Sequence, residues 1–120
     1  MATFNKSILS GSTDGRGIKV AATATAGTLI HTASSTATTL DEIWLYAVNT
    51  SASAVKLTVE WGGVSSPDDH IEYTVPAEAG LYLITAGLII KGNATPLVVR
   101  AFAATTNVLV VHGYVNRITA

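Results

Sequence analysis

The chain has no cysteine, only three prolines, and charged side chains at just 12% of its 120 positions, about half the usual share. Each shortage closes a route. Without cysteine there is no disulfide framework and no thiolate zinc site. A chain of this length buries roughly two thirds of its unfolded surface and needs neither staple. Seven Lys and Arg against eight Asp and Glu, with no basic cluster, provide no counterion-release drive toward nucleic acid. Long apolar runs are also missing: the longest, Leu81 to Ile90, is half a bilayer span and contains Thr85 and Gly87, so no transmembrane helix is expected. The start of the chain has no basic segment, apolar run and small-residue cleavage site, so classical secretion is not expected either.

What replaces charge is small. Eighteen Ala and seventeen Thr leave few side chains with catalytic chemistry. Apolar residues recur at every second position, with Thr, Val and Ile prominent, which is the period of strands. In Val55 to Trp61, Val55, Leu57, Val59 and Trp61 share one face while Lys56, Thr58 and Glu60 share the other. His70 to Val75 repeats the pattern and Pro76 ends it. With Ile18 to Ala24, Thr28 to Ala33, Ile43 to Val48, Leu81 to Ile84, Leu97 to Phe102 and Val108 to Val115, separated by Gly, Pro, Asn and Ser clusters, about eight strands result. The expected fold is all-β: an antiparallel β-sandwich or jelly-roll-like barrel over residues 18–120, preceded by a Gly-rich N-terminal arm over residues 1–17.

Three strands, Ile43 to Val48, Leu97 to Phe102 and Val108 to Val115, are apolar on both faces. A two-layer sandwich explains one buried face, and a neighbouring subunit explains the second. Val98, Arg100, Phe102, Leu109, Val111 and Tyr114 are therefore the expected oligomer interface. Phe4, Ile8, Leu9 and Arg16 are the expected contacts of the arm with a partner.

Candidate chemistry is sparse. Asp68-Asp69-His70 is the densest ionisable cluster, but three consecutive residues at a strand entry seldom converge on one cation, and Asp after Pro commonly caps a turn. Ser65 and Ser66 near His70 lack the Gly-x-Ser-x-Gly elbow of a hydrolase. His31, His70 and His112 lie in separate strands, where a lone His is usually structural. Gly11 to Gly17 lacks the Lys-Ser/Thr ending of a phosphate loop. Trp44 and Trp61 sit in apolar alternation, which marks core more readily than a sugar platform. Asn5, Asn49 and Asn93 head Asn-x-Ser/Thr triplets. No catalytic residue, metal or cofactor is expected.

The runs Leu40-Asp41-Glu42-Ile43-Trp44-Leu45-Tyr46-Ala47-Val48-Asn49, Val55 to Gly63, Ser66-Pro67-Asp68-Asp69-His70 and Val111 to Ile118 together resemble small virion proteins of tailed bacteriophages, of the head decoration or capsid cement type. The resemblance covers roughly residues 9–120 and consists of strand and turn patterns. It implies a non-enzymatic β-sandwich made in the bacterial cytoplasm. Such a protein would sit on the outer capsid surface as a homotrimer, bind the major capsid protein and stabilise the shell. A carbohydrate-binding or other tail, neck or spike component of the virion is the alternative.

Overall fold

The computed structural model describes residues 2–119. Met1 and Ala120, the outer ends of the expected arm and domain, lie outside the described residues. Nine strands form two antiparallel sheets, and there is no helix among the described residues. The first sheet contains β1 (Thr3–Ile8), β9 (Leu109–Thr119), β4 (Leu40–Asn49) and β7 (Tyr82–Lys91) in that order, with β2 (Ile18–Lys19) also paired to β9. The second contains β3 (Thr28–Thr32), β8 (Val98–Ala103), β5 (Val55–Trp61) and β6 (His70–Val75). The two sheets are separate, so the architecture is a sandwich, not a closed barrel.

Side-chain alternation decides what fills the space between the sheets. In β4 burial alternates strictly, and Asp41, Ile43, Leu45, Ala47 and Asn49 point inward. Leu109, Val111 and Val115 of β9 lie beside them, with Ile84 and Ile90 from β7. Val55, Leu57 and Val59 of β5, Val99, Ala101 and Ala103 of β8 and Val75 of β6 face them from the other sheet. These residues form one continuous core.

The segment expected as an arm, residues 1–17, contributes an edge strand. From Thr3↔Thr119 to Ile8↔Tyr114, β1 pairs with β9 without a register shift. Leu9, next in the chain, is buried in the core, and the Gly11 amide donates to the Ile30 carbonyl (2.9 Å), tying this stretch across to the second sheet. Beyond Leu9, Ser10 to Gly17 is loop.

The strand expected over Leu81 to Ile84 is β7, which begins at Tyr82 and continues to Lys91. The alternation breaks within it because the β4–β7 register shifts at Ile43/Trp44 and again at Leu45/Tyr46. Gly87, with φ of 75°, sits at the first of these bulges, a conformation that a side chain resists.

Candidate functional site: the outer face of the first sheet

When Ile43, Leu45 and Ala47 take the core positions, the intervening residues must point away from it. β4 thus presents Leu40, Glu42, Trp44, Tyr46 and Val48 on the outer face. Pairing aligns Ile118, Asn116, Tyr114, His112 and Val110 of β9 beside them, in that order. β1 extends the rows with Phe4, Lys6 and Ile8, and β7 with Leu83, Ala86 and Ile89. The edges are the most open part: Phe4 is 69% exposed, Ile8 51%, Leu83 47% and Ile89 53%. Trp44, Tyr46, Tyr114 and Ile118 are half-buried. Apolar side chains predominate on this face and are interrupted by Lys6, Glu42, His112 and Asn116; a contiguous exposed apolar patch rimmed by polar residues is the usual mark of an interaction surface.

Trp44 is a correction to the core assignment made from sequence. Its parity in β4 puts it outside, where its ring lies against Gly87 and beside Tyr114, centroids 6.0 Å apart and planes 11° from parallel. A polar island lies next to this pair. Glu42 Oε1 accepts from the Trp44 indole N–H (2.9 Å) and from Asn116 Nδ2 (2.9 Å), and these two donors, Asn116 first, hold the carboxyl below its usual range. Lys6 Nζ sits 4.8 Å from the Tyr114 ring centroid, a cation–π contact. Trp61, by contrast, has core parity and packs half-buried against the core.

The expected interface residues divide among three surfaces. Tyr114 belongs to the face just described. Leu109 and Val111 are enclosed in the core, because they share a parity with Val115 that the alternation turns inward. Val98, Arg100 and Phe102 lie half-buried on the outer face of the other sheet, since β8 and β9 belong to different layers. Of the arm residues, Phe4 and Ile8 join the apolar face, Leu9 is core and Arg16 is exposed in the loop before β2.

The outer face of the second sheet is polar and partly roofed by the segment leading into β3. Glu60, fully buried, accepts from the Gly27 amide (2.7 Å) and the Thr25 hydroxyl, while Arg100 Nη1 donates to the Gly27 carbonyl (3.2 Å). His70 Nε2 lies 3.6 Å from Glu60 Oε2, too far for a hydrogen bond, and has no partner among the described residues. Beside this cluster Thr23, Lys56, Thr58, Glu72, Phe102 and Ala104 line a cavity of about 160 Å³, below the size of a typical ligand pocket.

Asp69 caps a turn as its position after Pro67 suggested: its Oδ2 accepts from the Ser65 amide (3.1 Å). The three histidines do not meet. His31 is in the core, His70 on one outer face and His112 on the other, and no group of three or more His, Asp or Glu suited to a metal exists among the described residues. Asn49 is buried, with Nδ2 donating to the carbonyls of Ser53 and Val75, so its triplet offers no free acceptor.

Sequence reasoning missed one cluster altogether. Asp41, fully buried, accepts from His31 Nε2 (2.8 Å) and from Arg117 Nε and Nη2 (2.7 and 2.8 Å), joining β3 of one sheet to β4 and β9 of the other. His31 Nδ1 accepts from the Ser10 amide (3.0 Å), which fixes the proton of the neutral ring on Nε2. Burial lowers the His31 pKa more than the Asp41 contacts raise it. Burial is also the largest single influence on Asp41 and raises its pKa, but the bonds from Arg117 and His31 outweigh it and leave the carboxyl below its usual range. The Ser10, His31 and Asp41 line is no catalytic triad, because both ring nitrogens are already occupied and it is the Ser10 amide, not its hydroxyl, that meets the ring.

Comparison with protein families, curated proteins and solved structures finds no match to this chain.

Proposed function

We propose that this chain is a non-enzymatic structural protein of a phage particle, one that decorates the capsid and stabilises it by binding the major capsid protein as an oligomer. The observation that carries this is the outer face of the β1-β9-β4-β7 sheet. A sandwich that already buries a complete core leaves a second layer of Phe4, Ile8, Trp44, Tyr46, Leu83, Ile89, Tyr114 and Ile118 on its surface. Antiparallel sheets that face water on one side carry polar residues there, and apolar residues at those positions suit a covering partner. A protein that holds a shell together needs surface, not turnover, and many copies multiply a modest contact. The resemblance described above supplies the particle, and the apolar sheet face supplies the surface.

Mass measurement of the purified protein, followed by co-sedimentation with capsids that lack it, tests the proposal. Oligomers that pellet with the particles support it. A strict monomer without affinity for particles overturns it.

One observation favours a second reading. Trp44 and Tyr114 lie side by side on an outer face next to the Glu42 carboxylate and the Asn116 amide, the ingredients of a sugar platform. On that reading a glycan array shows binding that Trp44→Ala abolishes while the fold survives, and capsids are ignored.

A further inference from the structure

Five strands lie at sheet edges, and they are not equally protected; β2, on the same side of β9 as β1, is only two residues long. β7 is broken by two register shifts and by Gly87 at positive φ. β3 has five residues, a shift between Leu29 and His31, and the Gly11 amide already on its Ile30 carbonyl. β6 stops at Pro76 and carries Glu72, ion-paired to Lys56 at 3.0 Å. Bulges, prolines and charges are the usual means by which an edge is kept from pairing with another chain. β1 has none of the first two: all six residues are exposed, its ladder with β9 is regular over its whole length, and it contains no proline. Its single charge, Lys6, has Nζ 4.8 Å from the Tyr114 ring centroid and opposes only a register that sets it against its own copy.

We infer that β1 is where two copies of this chain join, antiparallel and across a two-fold axis at Asn5, so that the two first sheets run on as one. The register follows from faces and charges. A two-fold axis perpendicular to the sheet preserves its faces, so residues of equal parity must lie opposite each other. Centring on Lys6 would set two lysines directly opposite one another, a like-charge pair that is unfavourable. Centring on Phe4 would leave Lys6 and Ile8 unpaired by the other β1. Centring on Asn5 pairs Thr3 with Ser7 and Phe4 with Lys6, twice each, and sets the two Asn5 amides against one another. Phe4 then packs on the aliphatic stem of Lys6 instead of meeting water, and the apolar outer faces become continuous across the join. This inference rests on the reading that the chain assembles with copies of itself. It gives that assembly a two-fold contact, which the closed threefold ring implied by the resemblance does not contain.

The absence of cysteine makes the test direct. Residues directly opposite each other in an antiparallel pair have Cα atoms about 4.5–5.5 Å apart, within reach of a disulfide. Asn5→Cys should form a covalent dimer under mild oxidation at least tenfold faster than Ser7→Cys, which does not face itself. A mixture of Thr3→Cys and Ser7→Cys should give the mixed dimer in preference to either homodimer. Equal rates at all three positions would overturn the inference, as would an Asn5→Cys chain that stays uncross-linked while the unmodified protein is oligomeric. Co-sedimentation of the same variants with capsids separates the two proposals. Decoration without the Asn5→Cys cross-link removes the edge contact and leaves the proposed function. A rapid Asn5→Cys cross-link with no decoration does the reverse.

Discussion

Removing the carboxylate of Asp41 should cost more than any surface change in this protein. Asp41 is fully buried and is the acceptor of three hydrogen bonds, two of them from the Arg117 guanidinium. In Asp41→Ala the His31 Nε2–H stays buried without an acceptor, a penalty of about 1–3 kcal/mol. Arg117 loses its partner as well, but its side chain is 36% exposed and water recovers part of that loss. The total expected is about 3–4 kcal/mol, a large fraction of the roughly 5–15 kcal/mol that holds a domain of this kind. Replacing all three groups together, with His31→Leu, Asp41→Leu and Arg117→Met, should recover most of it, since no unpaired charge remains.

Acid has the same target. Both His31 and Asp41 have folded pKa values below their ordinary 6.5 and 3.8, so on acidification the unfolded chain takes up each proton first. Their contributions are complete above those values. The His31 contribution falls away as pH drops below 6.5, and that of Asp41 below 3.8, each disappearing through its folded pKa. Urea unfolding followed by tryptophan fluorescence at pH 7.5, 5 and 3 measures both effects. An Asp41→Ala protein within about 1 kcal/mol of the parent at pH 7.5 would refute the buried-bridge reasoning.

Three further outcomes are expected. Gly113→Ala should destabilise by about 3 kcal/mol or prevent folding, because its Cβ would stand 2.1 Å from the Trp44 carbonyl oxygen, whereas Gly80→Ala, with nothing within 4 Å, should be neutral in thermal melts. Trp44→Ala should cost only about 1–2 kcal/mol, less than the roughly 3–5 of a fully buried tryptophan, since one side of the ring already meets water; urea titration decides. Glu60→Ala leaves the buried Gly27 amide without its acceptor and should loosen the segment around Thr25, costing about 1–3 kcal/mol and speeding limited proteolysis between Ala22 and Thr28.

Much of the architecture could be read from alternation, and its failures share a cause. The period of two in Val55 to Trp61 and His70 to Val75 predicts β5 and β6 with the correct inward faces. Where a strand is apolar on both sides, alternation no longer says which side is core. Pattern alone therefore favours Trp44 inside and Leu109 and Val111 at an interface, whereas Trp44 lies on the outer face and Leu109 and Val111 are in the core. Sheet membership decides the remainder. Val98, Arg100 and Phe102 could not be separated from Tyr114 without knowing that β8 and β9 lie in different layers. β1 went unnoticed because Phe4-Asn5-Lys6-Ser7-Ile8 owes its extended form to pairing with β9 more than to its own composition. The buried bridge had a faint signal: Asp41 and Asn49 share the parity of Ile43, Leu45 and Ala47, which marks both as polar residues requiring partners inside. The identity of those partners depends on long-range pairing.

In the proposed function, the outer face of the β1-β9-β4-β7 sheet is covered when the protein binds its particle. Co-sedimentation with undecorated capsids, comparing the parent chain with an Ile8→Lys/Leu83→Lys double variant, measures this most directly. Both positions are about half exposed, so the variant should keep its melting temperature within a few degrees. It should lose particle binding by two orders of magnitude or more. Undiminished binding by a folded double variant would contradict the proposed function.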